Sequence, residues 1–358
     1  MIKTSLYPQH KKLSAKILPY AGFLMPISYS KGVAHEYFSV RDEVGVFDVS
    51  HMGEFHIMGD EAEAFLQEIT VNDVTKLDDN DIQYSAMCLE NGGIIDDLLL
   101  YKFNKTQFMM VVNASNIKKD FDWISKHNNL SVKVVNASNE YSLIALQGPK
   151  SKDVAKQLFD IDINIPFYKF IKFSFNGQTV ILSRTGYTGE LGYEIYSDHN
   201  SIISIWGKLI EFDVEPCGLA VRDILRMEMK YYLYGNDITE KTNPIEAGLG
   251  WITSLTKGDF IGKDAILADK KVTKKLVSFI MIERGIPRHG YDIFNDRDKI
   301  GVVTSGTQSL KLKNGIGLGY VDSKYCNIGN EIYIAIREKR IKAKLVKPPF
   351  VSDTSLLK

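Results

Sequence analysis

Hydrophobic residues recur at helical spacing in several separate stretches of this chain. After Asp60, the residues Ala62, Phe65, Leu66 and Ile69 fall on one face of a helix. The same spacing predicts three more helices, at residues 117–124 behind Asn116 as a candidate N-cap, at 201–212, and at 219–232 with a stop at Gly235.

Short apolar runs bounded by turn residues predict strands between and after these helices. Residues 93–103 and 108–113 are predicted as paired strands, which gives a helix-strand-strand-helix unit with the first two helices. Strands and helices mix without the regularity of βαβ units, which favours an α+β fold. Two further elements are predicted, a strand at 141–146 and a hairpin at 169–184 that turns at Asn176-Gly177.

The pattern changes from about residue 275 onward. Short strands alternate there with turn residues, as at 313–315 and 327–329, and no helical spacing recurs. This part of the sequence therefore predicts a separate β domain.

Composition and charge narrow the class of protein. A chain of 358 residues is long enough for two or three packed units, and 44% hydrophobic with 25% charged residues is ordinary for a soluble globular protein. Lys plus Arg equals Asp plus Glu at 44 each, so the net charge gives no attraction to nucleic acid or to an anionic membrane. The N-terminus lacks the apolar core of a signal peptide, and we expect a cytoplasmic protein.

The cysteines do not suggest a metal site. Cys88, Cys217 and Cys326 lie far apart and form no CxxC pair, which argues against zinc, an iron-sulfur cluster or a disulfide framework.

Two adjacent aspartates interrupt the apolar strand predicted at 93–103. Burying a carboxylate costs several kcal/mol unless it is paired, hydrogen-bonded or protonated. Either one aspartate faces solvent while the other accepts backbone hydrogen bonds, or one belongs to a functional site, and the pattern leaves both open. By alternation one face carries Asp96 with Ile94 and Leu98, and the other carries Asp97 with Ile95, Leu99 and Tyr101.

A glycine-rich segment at 183–194 is the second candidate for a site. Its glycines allow the backbone to approach a ligand closely, while Tyr187 offers a stacking face and Glu194 a carboxylate. A carboxylate can accept two parallel donors from a heterocycle such as a pterin. A plain glycine-rich turn is the alternative, and the spacing matches neither a dinucleotide fingerprint nor a P-loop.

Two further residues carry possible chemistry. Arg222 lies at the start of a predicted helix, where the helix dipole disfavours a cation, so it needs a partner such as a carboxylate or a ligand carbonyl. A surface salt bridge is the alternative. His51 follows a strand-like run but belongs to no recognisable triad, and we interpret it as structural.

Taken together, these segments resemble the glycine cleavage T-protein family, and the resemblance runs nearly end to end. It is carried by VFDVSHMGE (46–54), NDV (72–74), GGIIDDLLLY (92–101), VVNASN (111–116), ALQGPK (145–150), SRTGYTGELGYE (183–194), GLAVRD (218–223), YGNDITEKTNPIEAGLGW (234–251) and KGDFIGKDAI (257–266).

The resemblance implies an α+β fold of three domains arranged like a clover leaf around a central folate channel. The first α+β domain would be discontinuous, formed by residues 1–54 and 138–248, and would bind folate. The second α+β domain would comprise 55–137 and 249–275, and the C-terminal domain, 276–358, would be an all-β, barrel-like unit.

The resemblance also implies roles for particular residues. Asp97 matches the family's catalytic carboxylate, Glu194 the carboxylate that holds the pterin, and Arg222 the binding arginine. Many relatives end in a tail whose tyrosine reaches the ligand, whereas this chain has no aromatic residue after Phe350. The remaining folate-binding residues implied are Tyr187, Tyr84, Asn113, Met52, Tyr101, Tyr231 and Trp251.

The activity implied is aminomethyl transfer in the glycine cleavage system. A one-carbon unit would move from the lipoyl arm of the carrier H-protein to tetrahydrofolate, with no metal, nucleic acid or membrane involved. One alternative is a folate-dependent demethylase, and another is a non-catalytic folate-binding protein of iron-sulfur assembly. Relatives of the second kind carry a cysteine in a KGC-type motif, where this chain has Asp259.

Overall fold

The computed structural model of the chain describes residues 1–268 and 272–358, and residues 269–271, within the predicted second domain, lie outside the described residues. The strands are β1 (Ile2–Lys3), β2 (Lys16–Tyr20), β3 (Phe23–Ser28), β4 (Gly45–Asp48), β5 (Gly53–Met58), β6 (Ile82–Cys88), β7 (Ile94–Asn104), β8 (Gln107–Val112), β9 (Lys133–Asn136), β10 (Ser142–Gln147), β11 (Phe170–Phe175), β12 (Gln178–Ser183), β13 (Gly192–Ser197), β14 (Glu215–Cys217), β15 (Lys274–Met281), β16 (Asp292–Phe294), β17 (Lys299–Gln308), β18 (Gly315–Asp322), β19 (Glu331–Ile336) and β20 (Lys339–Val346).

The helices alternate irregularly with these strands, as expected for an α+β fold. They are α1 (Tyr7–Lys12), α2 (Val33–Asp42), α3 (Ala62–Ile69), α4 (Ile117–Lys126), α5 (Ser151–Phe159), α6 (His199–Glu211), α7 (Leu219–Glu228) and α8 (Lys263–Ala268), with short 3₁₀ helices at Val74–Lys76, Ala114–Asn116 and Ser323–Tyr325.

The helices predicted from hydrophobic spacing form, but α7 is shorter than predicted. It ends at Glu228, because Lys230 adopts a left-handed φ of 60° and the amide of Tyr231 turns back to the carbonyl of Arg226. Residues 229–232, predicted as the last helical turn, are therefore irregular backbone.

A six-stranded sheet of order β11-β12-β13-β10-β4-β14 forms the first layer of the fold. The predicted hairpin at 169–184 is its outer pair, β11 and β12. Helices α5 and α6 cover this sheet, and Trp206 of α6 is buried in the apolar cluster between them and the strands. Burial of this cluster is the main source of stability for the layer.

A five-stranded sheet of order β6-β7-β8-β5-β9 forms the second layer. Its core contains Leu98, Leu100 and residues of α3 and α4. Strict alternation along β7 fails at Ile95, because a bulge opposite Met87 and Cys88 shifts the register there. Ile95 therefore packs in the same cluster as Leu98 rather than on the face of Asp97, which corrects the expectation from alternation.

The two sheets meet through Tyr101 of the five-stranded sheet. Its ring is fully buried, and its hydroxyl lies 2.9 Å from the hydroxyl of Tyr196 and donates to Ser183 Oγ at 3.1 Å. A buried tyrosine with a satisfied hydroxyl fixes the distance between the two layers.

The C-terminal strands close into a barrel of order β15-β18-β17-β16-β19-β20, as the β-rich pattern after residue 275 predicts. Its core is apolar and includes Phe279, Ile293 and Leu345. Arg226 of α7 joins the barrel to the first layer by donating to Ser305 Oγ at 3.0 Å and to Asp237 Oδ2 at 2.8 Å.

The division into three domains at the expected boundaries stays a prediction. The five-stranded sheet begins with β5 at Gly53, two residues before the predicted start of the second domain at 55. The barrel begins with β15 at Lys274, two residues before the predicted start of the third domain at 276. Within residues 1–268 and 272–358, helices are too short or too polar to span a bilayer.

Candidate active site

A cavity of about 700 Å³ lies where the two sheets, the β2–β3 hairpin, α7 and the segment after it come together. This volume falls within the range of roughly 300 to 1,000 Å³ that is usual for small-molecule sites. All the predicted site residues except Tyr101 line it, namely Met52, Tyr84, Asp97, Asn113, Tyr187, Glu194, Arg222, Tyr231 and Trp251.

Tyr101 is the predicted residue that the fold keeps out of the cavity. It is fully buried between the sheets, and its hydroxyl is occupied by Ser183 and Tyr196. It is not among the residues that line the cavity, so its expected role as a folate contact stays a prediction. It supports Tyr196, which does line the cavity.

Asp97 and Tyr84 lie on neighbouring strands of the five-stranded sheet. Asp97 is opposite Ala86, two residues along β6 from Tyr84, so both side chains project from the same face. The Tyr84 hydroxyl donates to Asp97 Oδ2 at 2.8 Å, and the Asn113 side-chain amide donates to Asp97 Oδ1 at 2.9 Å. Two donors therefore fix the orientation of this carboxylate at the cavity wall.

The environment of Asp97 favours its protonated form more than water does. Burial raises the pKa of Asp97 to about 7, and the negative charge of Asp96 acts in the same direction, although Tyr84 and Asn113 oppose the shift. A carboxyl group that titrates near neutral pH can both accept and return a proton, which is the property of a general base.

Asp96 resolves the question that the strand pattern left open. It is fully buried on the opposite face of β7, where it accepts hydrogen bonds from the Asn113 amide groups and from Asn116 Nδ2. Asn116 occupies the predicted N-cap position of α4, but its side chain makes this bond instead of capping the helix. Both aspartates are thus held by donors, and Asp97 faces the cavity rather than bulk solvent.

Glu194 lies on β13 at the opposite wall. The Thr185 hydroxyl donates to Glu194 Oε2 at 2.5 Å, which leaves the other carboxylate oxygen free of hydrogen bonds among the described residues. Burial raises the pKa of Glu194, and Thr185 and Arg222 oppose the shift. The group can therefore accept hydrogen bonds from a ligand inside the cavity.

Arg222, expected to need a carboxylate or a ligand carbonyl as partner, lies over an aromatic ring. Its guanidinium carbon lies 4.1 Å from the centre of the Tyr187 ring, and the ring of Tyr231 stacks on Tyr187 at 5.6 Å. Within the part of the chain that the structure describes, no group forms a hydrogen bond with this guanidinium. Its donors therefore remain available to a ligand in the cavity.

The glycines of the 183–194 segment are required mainly by packing inside the protein. A Cβ on Gly186 or Gly192 would come within 2.1 to 2.3 Å of the Gln147 side chain, and one on Gly189 within 2.4 Å of Met229. Gln147 in turn donates to the Thr185 carbonyl at 3.1 Å. The segment thus places Tyr187 and Thr185 by folding tightly around a buried amide.

His51 was interpreted as structural from the sequence, yet it lines the cavity. Burial lowers the pKa of His51 to about 4, with the charge of Arg222 acting in the same direction, so the ring is neutral near pH 7. Its Nδ1 atom has no hydrogen-bond partner among the described residues. The sequence around His51 matches no catalytic triad and so did not indicate a site. Its place in the cavity wall depends on the path of the chain after β4.

The C-terminal tail reaches the site without an aromatic residue. Leu356 lines the cavity, and Arg184 donates to its carbonyl at 2.7 Å. The backbone and hydroxyl of Ser355 both donate to Glu190 Oε2, at 2.7 and 2.6 Å. The tail is therefore bound to the glycine-rich segment by hydrogen bonds.

Trp251 marks the outer end of the cavity. The residue is 74% exposed, and its ring lies 6.0 Å from that of Tyr84. Among residues 1–268 and 272–358, no cluster of three or more His, Cys, Asp or Glu side chains is arranged to hold a metal ion.

The chain is similar over nearly its full length to known aminomethyltransferases. Residues 6–257 match the model of the GCVT N-terminal domain, and residues 274–352 match that of the glycine cleavage T-protein C-terminal barrel domain. The aminomethyltransferase of Flavobacterium psychrophilum is 47% identical over 98% of this chain and 99% of its own length, and that of Halothermothrix orenii is 45% identical over 98% and 100%. The crystal structure of glycine cleavage system aminomethyltransferase T from Bartonella henselae superposes with a TM-score of 0.94 at 32% identity, covering 99% of both chains.

Proposed function

The chain belongs to the glycine cleavage T-protein family, and we propose that it is an aminomethyltransferase that uses tetrahydrofolate as its one-carbon acceptor. The donor is the S-aminomethyl-dihydrolipoyl arm of the carrier H-protein. The products are 5,10-methylenetetrahydrofolate, ammonia and the dihydrolipoyl carrier.

The observation that carries this proposal is the placement of Asp97 in the cavity wall. Its carboxylate is oriented by Tyr84 and Asn113, and its pKa of about 7 suits proton transfer at neutral pH. Glu194 and Arg222 line the same cavity and have unused hydrogen-bonding capacity for a heterocycle.

The chemistry follows from the bonds that change. Cleavage of the C–N bond of the aminomethyl group releases ammonia, and the two folate nitrogens replace the nitrogen and the sulfur on the carbon. These two nitrogens together lose two protons, one of which goes to ammonia and the other to the lipoyl thiol. Asp97 accepts a proton from a folate nitrogen and stabilises the cationic character that develops on the carbon.

The two ligands are held by different groups. The pterin ring donates to Glu194 and lies beside Tyr187, whose ring position is set by Arg222 and Tyr231. Holding both reactants in line supplies much of the rate, because it replaces a bimolecular encounter in solution. Met52 and Trp251 form further parts of the cavity wall.

The alternative functions receive no support from the relatives, which are named aminomethyltransferases. At the position where iron-sulfur assembly relatives carry cysteine, the Asp259 side chain is fully exposed and ion-pairs with Lys263 at 3.6 Å. Neighbouring Lys257 instead anchors the loop by donating to three backbone carbonyls, those of Gln67, Thr70 and Asn72.

The test is release of ammonia and methylenetetrahydrofolate from aminomethylated H-protein and tetrahydrofolate. We expect the wild type to turn over and Asp97→Asn to lose about 10² to 10⁴-fold in rate while it still binds tetrahydrofolate. Asp122→Asn, at an exposed aspartate on α4, is the matched control and should leave the rate unchanged. A wild type that binds folate but releases neither product from a competent carrier would overturn the proposal.

A further inference from the structure

Asp120 on α4 is a fully buried carboxyl group that the reaction described above does not use. Neither of its oxygens meets a hydrogen-bond donor among the described residues. It contacts Asp96, which is itself fully buried on β7. Two carboxyl groups therefore face each other in the interior, directly behind the cavity wall that carries Asp97.

The donors around the two carboxyl groups are distributed unequally. Asp96 accepts three N–H hydrogen bonds, from the Asn113 backbone at 3.0 Å, from Asn113 Nδ2 at 2.8 Å and from Asn116 Nδ2 at 2.7 Å. Such donors stabilise a carboxylate, whereas Asp120 has none. The unequal environment assigns the negative charge to Asp96 and a proton to Asp120.

Among the described residues no cation forms an ion pair with Asp96 or Asp120, although the charge of Lys119 opposes the burial that raises the pKa of Asp120. The nearest lysine, Lys119, donates to the Ile95 carbonyl at 2.6 Å and to the Tyr234 hydroxyl at 2.9 Å, and it ion-pairs with Glu240 at 3.4 Å. Asp97 and Tyr234 also interact electrostatically with the pair, and neither brings a positive charge. Two ionised carboxylates in contact without a cation are strongly disfavoured.

Asn113 connects this pair to the cavity. The same Nδ2 atom that donates to Asp96 Oδ1 also donates to Asp97 Oδ1 at 2.9 Å. Whatever fixes Asp96 therefore fixes the amide that orients Asp97.

We propose that Asp96 and Asp120 form a carboxylate–carboxylic acid pair that shares one proton and, through Asn113, positions Asp97 for the transfer reaction. Asp120 is a positioning residue, because it touches neither ligand and acts through Asp96 and Asn113. The proposal rests on the proposed function of Asp97 for its catalytic part only.

The shared proton is tested without any activity assay, by unfolding the protein in denaturant between about pH 6 and pH 9. A carboxyl group with a raised pKa stabilises the folded state at low pH, and this stability is lost as pH rises, because the unfolded chain releases the proton. Asp120→Asn keeps a neutral donor but has no proton to release. The ratio of its folding constant to that of the wild type should rise about tenfold per pH unit.

Asp122→Asn is the control for this measurement, since Asp122 lies on the same helix but its side chain is 60% exposed. The ratio of the folding constant of Asp122→Asn to that of the wild type should not change with pH. A ratio for Asp120→Asn that is equally flat would overturn the shared proton.

The positioning role is tested by kcat, KM and the pH profile of kcat/KM. Asp120→Asn should keep kcat within about threefold and leave the pH inflection of Asp97 in place, because the amide can still donate to Asp96. Asp120→Leu removes that donor and should lower kcat by about tenfold or more with little change in KM for tetrahydrofolate.

Each outcome decides a different question. Asparagine mimics the neutral acid, so a kcat that is lower by about tenfold or more in Asp120→Asn overturns the positioning role. This holds even if the leucine variant does not fold. An inactive wild type contradicts the proposed function instead, while the unfolding measurement still decides whether the pair exists.

Discussion

The phenol of Tyr84 donates a hydrogen bond of 2.8 Å to Asp97, across two adjacent strands of the five-stranded sheet. This bond stabilises the ionised form of a carboxyl group whose pKa is otherwise raised by burial and by Asp96. Burial and the charge of Asp97 in turn raise the pKa of Tyr84, so the phenol stays a donor through the neutral range.

Removing this donor should make Asp97 a weaker catalyst at neutral pH. In Tyr84→Phe we expect kcat/KM near pH 7 to fall by about tenfold, because a hydrogen bond to a charged group contributes about 1.5 to 3 kcal/mol. The inflection in the pH profile should move to higher pH. Tyr333→Phe on the barrel strand β19 is the control, and an unchanged profile in Tyr84→Phe would show that the bond has no catalytic role.

The pH dependence of the wild type follows from the direction of the Asp97 shift. Because burial raises its pKa to about 7, the carboxylate form required as a base is lost below that pH. We expect kcat/KM to rise with pH, to bend near pH 7 and to level off above it. Steady-state assays between about pH 5.5 and 9 check this, and a flat profile down to pH 5.5 would contradict the assignment.

A buried ionic network holds α2, α7 and the glycine-rich segment together. Arg41 donates to Glu190 at 2.7 Å and to Glu228 at 2.6 Å, and all three side chains are almost completely buried. Arg41→Met leaves two buried carboxylates without their cation, and should lower the free energy of unfolding by about 3 to 5 kcal/mol.

Denaturant unfolding measures this change, with Lys118→Met as the control. Lys118 is 87% exposed and pairs with exposed Asp122, so its replacement should alter stability by less than about 1 kcal/mol. Equal effects of the two substitutions would argue against a structural role for the network.

The tight packing around Gln147 predicts opposite effects of alanine at two glycines. A Cβ on Gly192 would lie 2.3 Å from the Gln147 amide, so Gly192→Ala should destabilise the protein by about 1 to 3 kcal/mol. Gly207, within α6, has open space around its Cβ position, and Gly207→Ala should stabilise by about 0.5 to 1 kcal/mol. Thermal unfolding of both variants checks the signs, and destabilisation by both would contradict the packing argument.

The C-terminal tail should affect folate binding more than the chemical step. Ser355→Ala removes one of the two bonds that Ser355 donates to Glu190 Oε2, and it removes the hydroxyl that accepts from the Leu191 amide, which loosens Leu356 at the cavity wall. We expect KM for tetrahydrofolate to rise by about three- to tenfold with kcat nearly unchanged. Ser352→Ala, at an exposed tail position, is the control, and a loss confined to kcat would contradict this role.

Local pattern was sufficient for much of the fold. The helices α3, α4 and α6, the paired strands β7 and β8, and the hairpin of β11 and β12 form close to their predicted positions, because hydrophobic spacing reflects which face of each element is buried. The end of α7 was predicted wrongly, since apolar and aromatic residues continue past Glu228 but the backbone turns at Lys230. Those residues line the cavity, and hydrophobic spacing does not distinguish a cavity wall from a helix face packed in a core.

The sequence by itself determined the family, the α+β class with its β-rich C-terminal part, and a set of residues that nearly all reach one cavity. It could do so because these properties depend on periodicity and on ordered motifs within single segments. The tertiary structure alone decided that Tyr101 joins the two sheets, that His51 and Leu356 face the cavity, and that Asp120 meets Asp96. Each of those facts depends on contacts between segments far apart in the chain, and only their packing brings such side chains within hydrogen-bond distance.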